Sequence, residues 1–226
     1  MRLERPGFPL FVQFKTSDFM TGRSDSREIR EGYFSGPFYR MHLRPLRRSP
    51  QHQLLLDLET QGDNEVYYIA PLFHEREHLN EAYLSRSVLP QSIFMPPSFI
   101  GPLPDNGDHY VAFQNAQVEE AIVFSRPKPI RALLNFEEFL KRLEQKLKQH
   151  RENSYESFLP VRSHLIHILA GMMSDPRYIR LITNFQPNAA DHVAFMAWTY
   201  LDCNIFLVQP REPQTSVINR LTRHRT

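Results

Sequence analysis

The sequence predicts an α/β or α+β fold, with a mixed β-sheet and a crossover helix in its N-terminal part and a C-terminal helical subdomain. Three observations carry this. Residues 8–72 set short apolar strands around one sharply started helix. Residues 135–202 switch to the apolar spacing of helices. Hydrophobic residues make up 41% and aromatics 12% of the 226-residue chain, enough for a packed core and too many for a disordered chain. The reading divides the chain into a mixed-sheet region 1–130, a helical subdomain 131–210 and a basic tail 211–226.

The elements follow in order. PLFVQFKT predicts a strand over 9–16. Residues 20–31, TGRSDSREIREG, have no apolar period and read as a loop. FYRMHL predicts a strand over 37–43, with Arg40, His42 and Arg44 alternating against Tyr39, Met41 and Leu43. A helix over 50–60 starts at Ser49 as N-cap with Pro50 in the first turn. Its Gln51, Leu54, Leu55 and Leu58 share one face, so Gln51 is carried inward toward the sheet and His52 lies one step round the helix. EVYYIA predicts a strand over 65–70. Strand, strand, helix, strand in this order implies one sheet with a crossover helix on a face. Further strands are expected at 109–114 and 121–125.

The helical part opens at Asn135, where Glu138 completes a capping box before a helix over 136–150. Two more helices are expected over 161–173 and 177–185, separated by Asp175 and Pro176. A fourth runs from Asn188 to about Cys203, and NIFLVQP is a last strand or an extended segment. The tail beyond Pro210 is polar and basic, with Arg220, Arg223 and Arg225.

Composition narrows the chemistry. No apolar run reaches the ~20 residues that span a bilayer, so no membrane partner is expected. Cys203 is the one cysteine. An internal disulfide is therefore excluded, and a reducing, cytoplasmic setting is expected. MRLERPGFPLF lacks the apolar core and cleavage site of a secretory signal. Net charge is +2, but it is unevenly spread: residues 23–48 hold Arg23, Arg27, Arg30, Arg40, Arg44, Arg47 and Arg48 against Asp25, Glu28 and Glu31. A cationic strand face beside Lys15, extended by Arg47 and Arg48, suits a polyanion backbone. The same arginines on an exposed edge would deter strand pairing.

The densest signal is the pair Gln13 and Lys15. Two residues apart on a strand, they leave the same face, and an amide beside an ammonium among apolar residues is costly to bury without partners. The plain alternative is that Lys15 snorkels at a sheet edge while Gln13 bonds a neighbouring backbone group. The Q-x-K strand, the helix with its early glutamine and the apolar strand after it resemble the core of the PD-(D/E)XK nuclease superfamily over residues 8–72. They are also similar to an uncharacterised family of bacterial proteins. The resemblance implies catalytic positions at Gln13, Lys15 and Gln51, to which His52 beside Gln51 is added; the cationic strand face supplies Arg40, Arg44, Arg47 and Arg48 for nucleic acid. The resemblance further implies Mg²⁺ or Mn²⁺ as cofactor, DNA or RNA as partner, and a bacterial defence or mobile-element setting. The family's aspartate belongs on a strand before Gln13, where Glu4, close to Pro6, is the sole acid. Without a carboxylate this set binds a phosphate better than it hydrolyses one. A second class of reading is a non-enzymatic assembly subunit that docks a protein partner or a second copy through the helical region.

His74-Glu75-Arg76-Glu77-His78 matches H-E-x-x-H, which on a helix would place two imidazoles one turn apart over a zinc ion. It directly follows a strand, which puts His74 in a first turn, and no third ligand is evident in the sequence. A zinc hydrolase is thus the third reading, and a solvated helix start is the plain one. His164 and His167 on an apolar helix read as partly buried, hydrogen-bonded residues. Cys203 reads as packed. No glycine-rich phosphate loop occurs.

Overall fold

A computed structural model describes residues 5–22, 26–62, 64–114, 120–124, 126–131, 133–150, 154–173, 175–184 and 188–210. The chain begins with β1 (Phe8–Phe14), β2 (Asp18–Met20), α1 (Arg27–Arg30), β3 (Phe38–Leu43) and α2 (Gln51–Gly62). Next come β4 (Glu65–Pro71), α3 (Arg76–Leu84), β5 (Ser92–Met95), α4 (Pro97–Ile100), β6 (His109–Phe113), β7 (Glu120–Phe124) and β8 (Lys128–Arg131). The helical part holds α5 (Phe136–Gln149), α6 (Ser154–Met172), α7 (Pro176–Asn184) and α8 (Ala189–Met196), then a π-helical turn at Ala197–Leu201 and β9 (Asn204–Val208). The fold is of the α/β class, as the sequence predicts.

Two sheets form. One is four-stranded and mixed, in the order β5-β4-β1-β9. Here β1 and β4 run parallel, with Leu10 opposite Glu65 and Phe14 opposite Ile69. They are the pair that α2 bridges as a crossover. Both are buried on both faces, which is why FPLFV and VYYIA read as continuous apolar runs rather than alternating ones. Phe8, Leu10 and Val12 pack with Tyr67, Ile69 and Phe94 under Phe139 and Leu143 of α5. Phe11 and Tyr68 face the opposite way, into the main core with α2, α6 and α8.

The second sheet is antiparallel, β2-β3-β6-β7-β8. This corrects one expectation: the strand at 37–43 does not sit beside β1 but pairs with β6, Met41 opposite Val111. The chain leaves β1, makes β2, α1 and β3 of the other sheet, and only then returns through α2 to β4. The inner face of β3, Met41 and Leu43, joins the main core. Because α2 is enclosed, Gln51, His52, Leu54, Leu55, Leu56 and Leu58 are all buried.

The helical region packs back onto the sheet. Leu165, Leu169, Val193, Met196 and Leu201 share a core with Phe11, Tyr68 and Val111, and β9 pairs antiparallel with β1, Val12 opposite Asn204. The capping box of α5 is formed: Asn135 Oδ1 accepts from the Glu138 amide at 3.0 Å and Glu138 Oε2 from the Asn135 amide at 2.9 Å. α6 starts seven residues before the predicted 161, with Pro160 inside it. The Ser154 amide and hydroxyl both donate to Arg5 O at 2.8 Å. That anchor, with buried Phe158 and Val161, outweighs the hydrogen bond that proline removes. The fourth helix ends its α-helical part at Met196. Within the predicted loop 20–31, Arg27–Arg30 form a short helix, while Arg23 and Asp25 lie outside the described residues. So does the tail 211–226, with Arg220, Arg223 and Arg225. Among the described residues, no helix is long and apolar enough to cross a membrane.

Candidate functional site

At the C-terminal end of β1 the chain turns through Lys15 to Ser17, and the π-helical turn before β9 arrives alongside. Asp202 closes that turn in the left-handed region, φ 54°, a conformation aspartate tolerates better than most residues. Gln13 is 1% exposed and its Nε2 donates to Leu201 O at 3.1 Å. Gln51 comes from α2 to the same acceptor, its Nε2 at 2.8 Å. The two glutamines do converge, on a backbone carbonyl at the mouth of the π-helical turn. Gln13 Oε1 is buried with no hydrogen-bond partner among the described residues.

His52 Nδ1 lies 2.8 Å from Tyr68 Oη and its Nε2 2.8 Å from Gly101 O. A carbonyl only accepts, so Nε2 carries the proton and the tyrosine hydroxyl donates to Nδ1. Burial pushes the imidazole below its usual range. His52 is thus a neutral strut tying α2 to β4 and to the turn after α4.

Lys15 holds its Nζ 5.3 Å from the centre of the Tyr68 ring. Its pKa is lowered to about 8, chiefly by burial and then by the nearby Arg44 guanidinium, against smaller raising effects of Asp202 and Cys203. Arg44 Nη2 takes the Asp202 carboxylate at 3.1 Å. Asp202 is the carboxylate that sequence reasoning missed. It stands 187 positions after Lys15 and reaches it only because β9 pairs with β1. Its one local signal is an acidic residue between a helix and a strand. Cys203 is buried and burial pushes its thiol up to about 12, which suits packing rather than reaction.

The other predicted residues disperse. Arg40 lies on the second sheet, its Nε and Nη2 on the buried Glu28 carboxylate at 2.6 and 2.5 Å, with its guanidinium 4.6 Å from the centre of the Tyr110 ring. Burial works to raise Glu28, but the bonds from Arg40 outweigh it and hold the carboxyl below its usual range. Arg47 binds Asn106 O at 2.7 Å and Asp108 at 3.0 Å. Arg48 is exposed. The continuous cationic face expected beside Lys15 reduces to Lys15 and Arg44.

α3 begins at Arg76 with Glu75 as N-cap, so His74 precedes the helix. Its ring stacks on Phe19 at 4.3 Å, and Glu75 lies between His74 at 3.7 Å and His78 at 3.6 Å. The one-turn chelate that H-E-x-x-H needs is not formed. Among the described residues, no group of three or more His, Cys, Asp or Glu is placed to hold a metal. His164 is partly buried, as expected, but among the described residues neither ring nitrogen has a hydrogen-bond partner.

Beyond Lys15 a cleft of about 370 Å³ opens at the ends of β1 and β4, walled by Phe14, Ile69, Phe73, Leu79, Val88 and Leu89. Comparison with protein-family models, curated proteins and solved structures returns no match.

Proposed function

We propose that the protein engages the phosphate backbone of DNA or RNA at the end of β1, with Lys15 and Arg44 as the phosphate-binding cations. The observation that carries this is the unbalanced charge at Lys15. A mostly buried ammonium stands beside a guanidinium, and Asp202, the one carboxylate near both among the described residues, is committed to Arg44. A phosphate between the two cations would relieve their repulsion and restore the proton affinity that burial removes. Gln13 and Gln51 support that site by holding the Leu201 carbonyl, and so position Asp202 and Arg44 rather than touch substrate.

The donor set does not fit a resident Mg²⁺ or Mn²⁺. Gln13 Oε1 and Asp202 are two oxygen donors flanked by two cations, where a hard divalent ion takes about six oxygens. The reading is therefore nuclease-like recognition, with no hydrolytic step derived. Oligonucleotide binding measured across salt tests it. Wild type is expected to lose affinity as salt rises, and Lys15→Ala to flatten that slope by about one unit. Binding should also weaken above pH 8, where free Lys15 sheds its proton. Salt-independent binding, or none with or without Mg²⁺ or Mn²⁺, would sink the proposal.

A second reading, an assembly subunit, finds its support on α3 rather than in the helical region expected to dock, whose helices pack into the core. On α3 only Ala82 is buried, while Leu79, Tyr83 and Leu84 are exposed at 44%, 74% and 81%. An apolar helix face of that kind marks protein contacts. Sedimentation of wild type against Tyr83→Glu would separate the two.

A further inference from the structure

We propose that the cleft at the C-terminal ends of β1 and β4 binds a small amphipathic carboxylic acid, its hydrocarbon body against Phe14, Ile69, Leu79 and Val88 and its carboxylate accepting from the Ser17 hydroxyl. This does not rest on the nucleic-acid reading. The volume, about 370 Å³, falls in the range of small-molecule pockets, roughly 300–1,000 Å³, and is far too small for a folded partner. The wall surface is mostly apolar, from Phe14, Ile69, Phe73, Leu79, Val88 and Leu89, and polar side chains sit among them.

Ser17 supplies the second observation. It lines the cleft, is 6% exposed, and its Oγ is buried with no hydrogen-bond partner among the described residues. A buried hydroxyl left unpaired costs about 1–3 kcal/mol, and serine turns between staggered rotamers at little cost. A ligand oxygen in the cleft wall offers the missing acceptor. Phe14 and Leu79 of the cleft lining stay 52% and 44% exposed, apolar surface that a hydrocarbon chain would take from water.

Charge selects the head group. Lys15 and Arg76 border the cleft against a single lining acid, Glu75, whose carboxylate lies between the His74 and His78 rings. The lip is therefore cationic on balance and favours an anion. The placement also follows from topology, since ligands of open α/β sheets gather at the carboxyl ends of parallel strands. Here β1 and β4 are the parallel pair.

Titration of the full chain with octanoate, by calorimetry, tests this, with octan-1-ol as the uncharged probe. Saturable one-to-one binding of octanoate is expected, with octan-1-ol weaker. Ser17→Ala should reduce octanoate affinity by roughly tenfold, and Val88→Trp, which fills the cleft, should abolish it with thermal unfolding still cooperative. No saturable binding of octanoate overturns the proposal, as does binding that Val88→Trp leaves intact. Equal affinity for both probes overturns the anionic head group. Self-association that protects Phe14 and Leu79 from hydroxyl-radical labelling would assign the cleft to a second copy instead. Octanoate binding by Arg44→Ala, a residue outside the cleft lining, should be unchanged while its oligonucleotide affinity falls, which separates failure of this proposal from failure of the nucleic-acid reading.

Discussion

At Lys15 the sign of a charge's contribution depends on pH. Its folded pKa of about 8 lies below the ordinary 10.5. The unfolded chain therefore binds more protons between those values, and stability rises as pH climbs through that window. Below pH 8 both states are protonated and the burial cost is present in full. Lys15→Met is thus expected to gain about 1–3 kcal/mol at pH 7 and to lose most of that gain by pH 10, read from urea titrations at the two pH values. His52 has the same sign. Its folded value is depressed, so its contribution is present above the usual 6.5 and is lost as pH falls toward the folded value. His164 and His192 shift the same way, chiefly by burial. The melting temperature should therefore fall on acidification below pH 6.5. Tyr68→Phe removes the donor to His52 Nδ1 and should cost about 1–3 kcal/mol, measured by denaturant unfolding at pH 7; no change would mean that the strut carries no stability. Gln13 and Lys15 were legible as a costly polar pair. A backbone partner for Gln13 was the plain alternative, and one forms; that it is Leu201 O was not legible, because a side chain's partner is chosen by what the fold brings near.

Among the elements, those with complete local signals are the ones read correctly. Asn135 and Glu138 specify the start of α5 within four residues, and the box they predict is formed. Asn135→Ala should cost about 1 kcal/mol, seen as a lower melting temperature with unchanged far-ultraviolet circular dichroism at 20 °C. Asn188 starts α8 in the same way, its side chain accepting from the Asp191 amide at 2.9 Å. The failures are short or context-dependent. β2 has three residues and α1 four, too few for a period to show. β5, SIFM, is an apolar run that alone suits helix or strand, and β8 begins beside prolines. The helix expected over 161–173 starts earlier and runs through Pro160, since the apolar face from Phe158 to Leu169 outweighs one lost bond.

Over the whole molecule, the N-terminal strand and the last described strand are neighbours. β9 lies on β1, and one core joins Phe11 and Tyr68 of the first sheet, Met41 and Val111 of the second, and Leu165, Val193 and Leu201 of the helical region. Unfolding should therefore be one cooperative transition. Near- and far-ultraviolet circular dichroism in urea should give coincident curves; two separated midpoints would contradict a shared core. A chain ending after Cys203 would lack β9, leave β1 an open edge with Leu10 and Val12 less covered, and unfold at lower urea or lose its cooperative transition.

Sequence alone determined the fold class, most of the longer elements, the caps of α5 and α8, and the presence of a polar pair on an apolar strand. These rest on periodicity and on contacts within a few residues, which any local stretch carries with it. Tertiary structure decided which sheet β3 joins, because every strand edge offers the same amides and carbonyls and nothing local selects among them. It decided that Glu28 neutralises Arg40, twelve residues apart. It also brought Asp202 to Lys15 and Arg44 through the pairing of β9 with β1. Charges act through space, and the space between two residues is set by the fold.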